Sequence, residues 1–205
     1  MKKLPANRQN EIRITCGKGR WTPVVSDDEL YRAYLMGDAS AGDAIMYRYG
    51  DLLVLYINGI IHDSQDAEDL MLDCISAILA RRPKIGEGNF RAYLFRTARY
   101  MSLRHLQRKR RMPDFYPDEN VLPGGQAPEE VLWIQDRNAA LRRCLERIAP
   151  QYREALWLRY DLNMTGAETA EVLGCGKKRL ENLLANGKTA LRRELEKEGI
   201  TREDI

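Results

Sequence analysis

Apolar residues fall three or four positions apart through most of the chain, the spacing that gathers them on one face of an α-helix. Ser26-Asp27-Asp28-Glu29 reads as a capping box, with Ser26 as N-cap and Glu29 reaching back, and Gly37 closes the short helix it opens. The next helix carries Ile45, Tyr49, Leu52/Leu53, Tyr56/Ile57 and Ile60 inward. Another begins near Asp63/Ser64 and runs to about Ala80, with Ala67, Leu70/Met71, Cys74 and Ile78 on its inner face. Its opposite stripe, Asp69, Leu72, Asp73 and Ser76, mixes acid with an apolar residue. Pro83 to Asn89, with two glycines, is a loop, and a long helix follows from Phe90 to about Arg111.

The C-terminal part predicts four helical segments. One spans roughly Glu129 to Ile148, and Pro150 sits in the first turn of the next, which ends near Tyr160. Thr165-Gly166-Ala167-Glu168 is a second capping box, and the helix it opens stops at Gly174. After Cys175 and Gly176 a last helix runs from Lys177 to about Glu198, with Leu180, Leu183/Leu184 and Leu191 as its core stripe. A short helix, a glycine-containing turn and a longer helix form the outline of a helix-turn-helix. Only Glu11–Cys16 and Trp21–Val25 hint at strands, as a small hairpin or an extended tail.

Charge divides the chain further. Residues 1–112 hold 19 basic and 13 acidic side chains, and residues 131–205 hold 14 and 12. Between them, residues 113–130 hold five acids, no base, four prolines and a Gly-Gly pair. Proline denies that segment helix continuity and the acids keep it solvated, which predicts a linker. The expected organisation is an N-terminal extension (1–25), a helical domain (26–112), the linker (113–128) and a helix-turn-helix domain (129–205). The fold class is all-α: two small helical domains joined by an acidic Pro/Gly linker.

The chemistry of most enzymes is missing. The two histidines, His62 and His105, are far apart, and the four cysteines (Cys16, Cys74, Cys144, Cys175) are scattered, so no metal set forms at ligand spacing. No phosphate-binding GxxxxGK[ST], no dinucleotide GxGxxG and no GxSxG elbow occurs. No cofactor and no catalysis are expected. The most apolar run, Leu52 to Ile61, falls short of the roughly 20 residues a membrane span needs. No secretory signal is visible and the thiols suit a reducing cytosol, so a cytoplasmic protein is expected. What stands out instead is the helix from Phe90, where Arg91, Arg96, Arg99, Arg104, Arg108, Lys109, Arg110 and Arg111 run without an acid before Asp114. Tyr93, Phe95 and Tyr100 are interleaved with them. Bases neutralise phosphates and aromatic rings stack on exposed nucleobases, so nucleic acid is the natural partner.

These residues resemble a family. Ser26-Asp27-Asp28-Glu29-Leu30 through Met36-Gly37-Asp38, then Tyr47-Arg48-Tyr49, is similar to the opening of the extracytoplasmic-function branch of the sigma-70 family of bacterial transcription initiation factors. Asp63 to Leu70 (DSQDAEDL) resembles that branch's polymerase-binding helix, and Phe90 to Arg99 (FRAYLFRTAR) the start of its promoter-melting helix. Leu145 to Pro150, Arg153-Glu154, Leu158-Arg159-Tyr160, Glu168-Thr169-Ala170 and Leu173-Gly174 resemble its second domain. The resemblance covers about residues 26–111 and 129–196. It departs at Gly42, where the family has Phe, at Tyr100, where it has Asn, at Leu103, near a usual Asp, and at Glu181, Leu183 and Asn186, where Lys and Arg are usual.

The resemblance implies roles. Asp66, Glu68, Asp69, Leu70, Leu72, Asp73 and Ser76 would dock on RNA polymerase core. Lys84 and Asn89 in the loop, with Arg91, Tyr93, Arg96, Arg99, Tyr100, Arg104 and Arg108, would capture a flipped base of the −10 element of promoter DNA and hold the melted strand. Thr165, Lys177, Lys178, Arg179, Asn182, Asn186 and Lys188 would meet the −35 element. The expected function is a sigma factor that directs promoter recognition and melting. The alternatives are a sigma-like regulator that reads DNA poorly and a purely helical adaptor, and the resemblance leaves open whether an anti-sigma protein holds the chain inactive.

Overall fold

The computed structural model describes residues 25–111 and 140–200, and among them every regular element is a helix. The hairpin expected before Val25, the linker and the first half of the helix from Glu129 lie outside the described residues. The chain divides between Ala98 and Arg99 into two compact units, the boundary falling inside one helix.

The first unit holds α1 (Asp27–Leu35), α2 (Ala39–Ile61), α3 (Ser64–Arg81) and the start of α4 (Phe90–Arg111). The Ser26 hydroxyl accepts from the Glu29 amide while the Glu29 carboxylate accepts from the Ser26 amide at 2.8 Å, completing the capping box. Donation from the Ser26 amide and from its hydroxyl holds the Glu29 carboxyl below the usual range. His62 in the left-handed region ends α2 and Asp63 caps α3, so two residues turn α2 back alongside α3. The core collects Ile45, Leu53, Ile57, Ala67, Cys74, Ile75 and Ile78 around an aromatic cluster. Tyr31 lies 4.9 Å from Phe90, and Tyr49 and Tyr56 pack on Phe95 at 6.2 and 5.4 Å. Phe95 is therefore a core residue, not a free stacking platform. Gly42 faces the Tyr34 ring, which a Cβ would meet at 3.1 Å. Tyr34 thus fills the space beside position 42, and the glycine makes room for it.

The second unit follows as α5 (140–147), α6 (Pro150–Leu156), α7 (Gly166–Leu173) and α8 (Lys177–Lys197). Beyond Leu156 the chain continues as a π-helical turn, Trp157–Asp161, where the sequence pattern predicts only more of the same helix. Asn163 then takes a left-handed conformation, and the Arg159 guanidinium donates to the Met164 carbonyl at 2.9 Å. Thr165 and Glu168 form the second capping box. Gly174, left-handed with φ 63°, ends α7, and Gly176 caps α8. These three residues, Gly174 to Gly176, are the turn of a helix-turn-helix. Gly187 brings α8 close to α6, since a Cβ there would meet Tyr152 and Leu156 at 3.2–3.3 Å.

Candidate functional site

Three surfaces carry the residues singled out by the sequence. The first lies along α3. Asp63 caps the helix by accepting from the Asp66 amide at 3.0 Å, which leaves Asp66 half-buried in the first turn. Glu68, Asp69, Leu72, Asp73 and Ser76 are exposed, and Leu70 is half-buried. Asp69 and Asp73 are one turn apart beside Leu72, as the spacing predicts. The antiparallel pairing of α2 and α3 adds residues that the sequence did not single out. Asp51, Val54 and Leu55 of α2 line a shallow groove with Glu68, Met71 and Leu72. Leu55 is 63% exposed and Leu72 48%, and the two line the same groove as one apolar patch. The available signal for Leu55 was its place off the stripe of Ile45, Tyr49, Leu53 and Ile57.

The second surface is the loop before α4 together with that helix. Lys84 and Asn89 are exposed, with the Asn89 amide donating to the Gly86 carbonyl at 3.1 Å. Along α4, Arg96, Tyr100, Arg104 and Arg108 are exposed at four-residue spacing, one line of cations interrupted by a ring. Tyr100 is 64% exposed at the position where the family has Asn. Arg91 and Tyr93 are half-buried. Arg99 is set apart from that line: its Nε donates to Glu154 at 2.8 Å within the second unit.

The third surface is the start of α8. Lys177, Lys178 and Arg179 are exposed in its first turn, where the open helix amides also favour anions. Asn182 and Asn186 are exposed one turn apart. Thr165 is exposed, but its hydroxyl is committed to capping α7. Lys188 is on the other flank of α8, its ammonium 4.9 Å from the centre of the Tyr160 ring beside an apolar groove containing Leu145, Trp157 and Leu191. The fold does not bring it to Asn182 and Asn186. Glu198, at the end of α8, is bound by Arg147 at 2.6 Å and Arg143 at 3.6 Å, and its carboxyl is held below the usual range chiefly by the Arg147 hydrogen bond.

Among the described residues there is no group of three His, Cys, Asp or Glu able to hold a metal, and no helix is long and apolar enough to cross a membrane. The Cys74 thiol is buried, donates weakly to the Leu94 carbonyl at 3.8 Å, and is pushed up to about 12 by burial. It is a packing residue rather than a nucleophile.

Comparison with known proteins accounts for this arrangement. Residues 45–112 match the Sigma-70 region 2 family, and residues 138–191 match Sigma-70, region 4. The chain is 26% identical over 160 residues to the RNA polymerase sigma-H factor of Pseudomonas aeruginosa, which covers 73% of this chain and 83% of that relative. Among solved structures, CnrH in complex with the cytosolic domain of CnrY is similar with a TM-score of 0.60 at 22% identity, covering 83% of this chain and 97% of that one. The sigma factor RpoE from Bartonella quintana, in complex with the anti-sigma factor NepR, gives 0.58 at 17%, covering 75% and 96%. The two structures agree in fold, while the two matched regions fall on the two helical parts in the family's order. With Sigma-70 region 2 and region 4 matched in that order over more than half of its length, the chain belongs to the sigma-70 family and is a sigma factor.

Proposed function

We propose that the two described units divide the work of a sigma factor among the three surfaces. The α2/α3 groove docks on polymerase core through Leu55 and Leu72, with Asp69 and Asp73 attracting a basic partner surface. An apolar centre with a polar, charged rim is the usual layout of a protein interface. The 84–89 loop and the exposed face of α4 take the −10 element, with Arg96, Arg104 and Arg108 on phosphates and Tyr100 available to stack on an unpaired base. Lys177, Lys178 and Arg179 contact backbone at the −35 element, and Asn182 and Asn186 read it, since Asn pairs bidentately with adenine. The chain works in the cytoplasm and lends specificity to the polymerase's chemistry without catalysis of its own. Because both solved relatives are held by a second protein, this chain is also a candidate for capture by an anti-sigma protein.

The observation that carries the reading is the separation of charge by helix. The outer face of α3 presents acids around a leucine, while the charged side chains exposed on α4 are all cations, with Tyr100 among them. The experiment therefore compares two double substitutions. Asp69→Arg with Asp73→Arg abolishes co-purification with core polymerase and leaves helicity intact. Arg104→Ala with Arg108→Ala keeps core binding but weakens permanganate footprints of the melted promoter and flattens their salt dependence. Equal core binding in the first variant, or full footprints in the second, refutes the division.

A further inference from the structure

The loop between α3 and α4 is held in place from α1. Its own contribution is small: Arg82 ends α3 in a left-handed conformation, Gly88 has φ 78°, and the Asn89 amide donates to Gly86. Lys84, Gly86, Glu87, Gly88 and Asn89 are all exposed. A segment this open, containing two glycines, has many conformations of similar energy. Three side chains of one α1 face reach across to it. The Tyr31 hydroxyl donates to the Pro83 carbonyl at 2.8 Å, fixing the entry to the loop. The Asp28 carboxylate accepts from the Gly88 amide at 2.5 Å, fixing its exit. Arg32 lies 3.5 Å from Glu87, an exposed pair that adds little. Positions 28, 31 and 32 are spaced three and four apart, so a single helix face makes all three contacts.

That face is itself anchored. The Tyr31 ring packs on Phe90 at the start of α4, and Tyr34 donates to the Leu79 carbonyl at 3.2 Å while the Arg82 guanidinium lies over its ring. At the N-terminus of α1, Asp27 accepts from Arg48 and from the Tyr49 hydroxyl, tying the helix to α2. The loop is thus clamped at both ends against a fixed element, and the stretch from Lys84 to Glu87 is presented between the clamps. Recognition of one base by a few hydrogen bonds needs donors and acceptors held to within roughly 0.5 Å, which the loop alone does not provide.

We propose that Asp28 and Tyr31 are positioning residues for −10 base selectivity, setting the conformation in which the 84–89 loop meets the flipped base. The proposal rests on the reading of that loop as the −10 contact and names the residues outside it that make it selective. Both side chains are bonded to the loop backbone and act through it, at Gly88 and Pro83. Asp28 contributes a charge-assisted hydrogen bond, and Tyr31 contributes one hydroxyl beyond its packing.

The test uses the full chain with core polymerase on templates randomised across the −10 element. Open complexes are sequenced, and core affinity and thermal midpoint are measured on the same samples. Asp28→Ala lowers discrimination against the second-best −10 base by about fivefold, the scale of one exposed hydrogen bond, with core affinity unchanged. Asp28→Asn keeps an acceptor for the Gly88 amide and restores most of that discrimination. Tyr31→Phe preserves the ring contact with Phe90 and still relaxes selectivity, which separates the effect from loss of folding. Hydrogen exchange at the Gly88 amide accelerates in Asp28→Ala. Lys84→Ala and Asn89→Ala probe the underlying reading directly. If these two shift base preference while Asp28→Ala and Tyr31→Phe match wild type, the positioning role is overturned and the loop reading stands. If none of the four shifts it, the loop reading falls and the proposal falls with it.

Discussion

Replacing Leu55 and Leu72 together by alanine separates binding from folding. Leu55 is 63% exposed in the free chain and Leu72 48%, so about half of their combined surface is still open to a partner. Burying a whole leucine side chain is worth about 2 kcal/mol, and the exposed fractions of these two leave about 2 kcal/mol in total to be gained at an interface. Their removal should weaken core binding by about 30-fold, since each 1.4 kcal/mol is about tenfold in Kd. The parts already buried are worth about 2 kcal/mol by the same measure, so urea unfolding should show a loss of stability of that order or less, and affinity is compared where both proteins are fully folded. Competition against a labelled wild-type chain for core polymerase reads the affinity, and urea unfolding reads the stability. Unchanged affinity of the folded double variant refutes the groove as the docking site.

The remaining predictions concern packing and titration. Gly187→Val forces a branched side chain against Tyr152 and Leu156 and should destabilise the second unit by about 2 kcal/mol, read by thermal unfolding. Asp27→Ala strips the partner from Arg48, whose side chain is only 9% exposed, and should cost about 3 kcal/mol in denaturant unfolding. Stability should also fall at high pH. The Cys74 thiol, pushed up to about 12, stays neutral when folded, so its contribution is intact below the ordinary value of 9.0 and is lost as pH rises above it. Burial and the neighbouring Asp27 raise Tyr49 as well, adding a second loss above 10.0. Cys74→Ala should remove the first component of an alkaline unfolding curve and leave the second.

Much of this was legible from local chemistry. The capping boxes at Ser26 and Thr165 and the spacing of apolar residues set most helix ends to within a residue or so, because caps act within a single turn. The acidic face of α3 was readable for the same reason. What escaped depends on how helices cross. Leu55 belongs to a helix that is apolar on more than one side, and only the pairing with α3 decides which of its leucines remain outside. Periodicity offered Tyr93, Phe95 and Tyr100 alike as platforms, yet packing against Tyr49 and Tyr56 takes Phe95 into the core. Met101 is half-buried and Ser102 is buried beside it, an inversion that apolar spacing does not show. Lys188 shares a helix with Asn182 and Asn186 but points along the flank that meets Tyr160. Arg99 shares one with Arg96 and Arg104 but pairs with Glu154, a partner 55 positions away. Gly42 departs from the family at its own position, and its reason lies in Tyr34 on a different helix.

Run-off transcription on genomic fragments, with core polymerase in the presence and absence of the full chain, tests the central claim most directly. Transcripts with discrete start sites are expected only when the chain is added. Those transcripts should share upstream elements at −10 and −35, and Asp69→Arg with Asp73→Arg should remove them. Transcription that is unchanged by the chain, despite its measurable binding to core, would contradict the account.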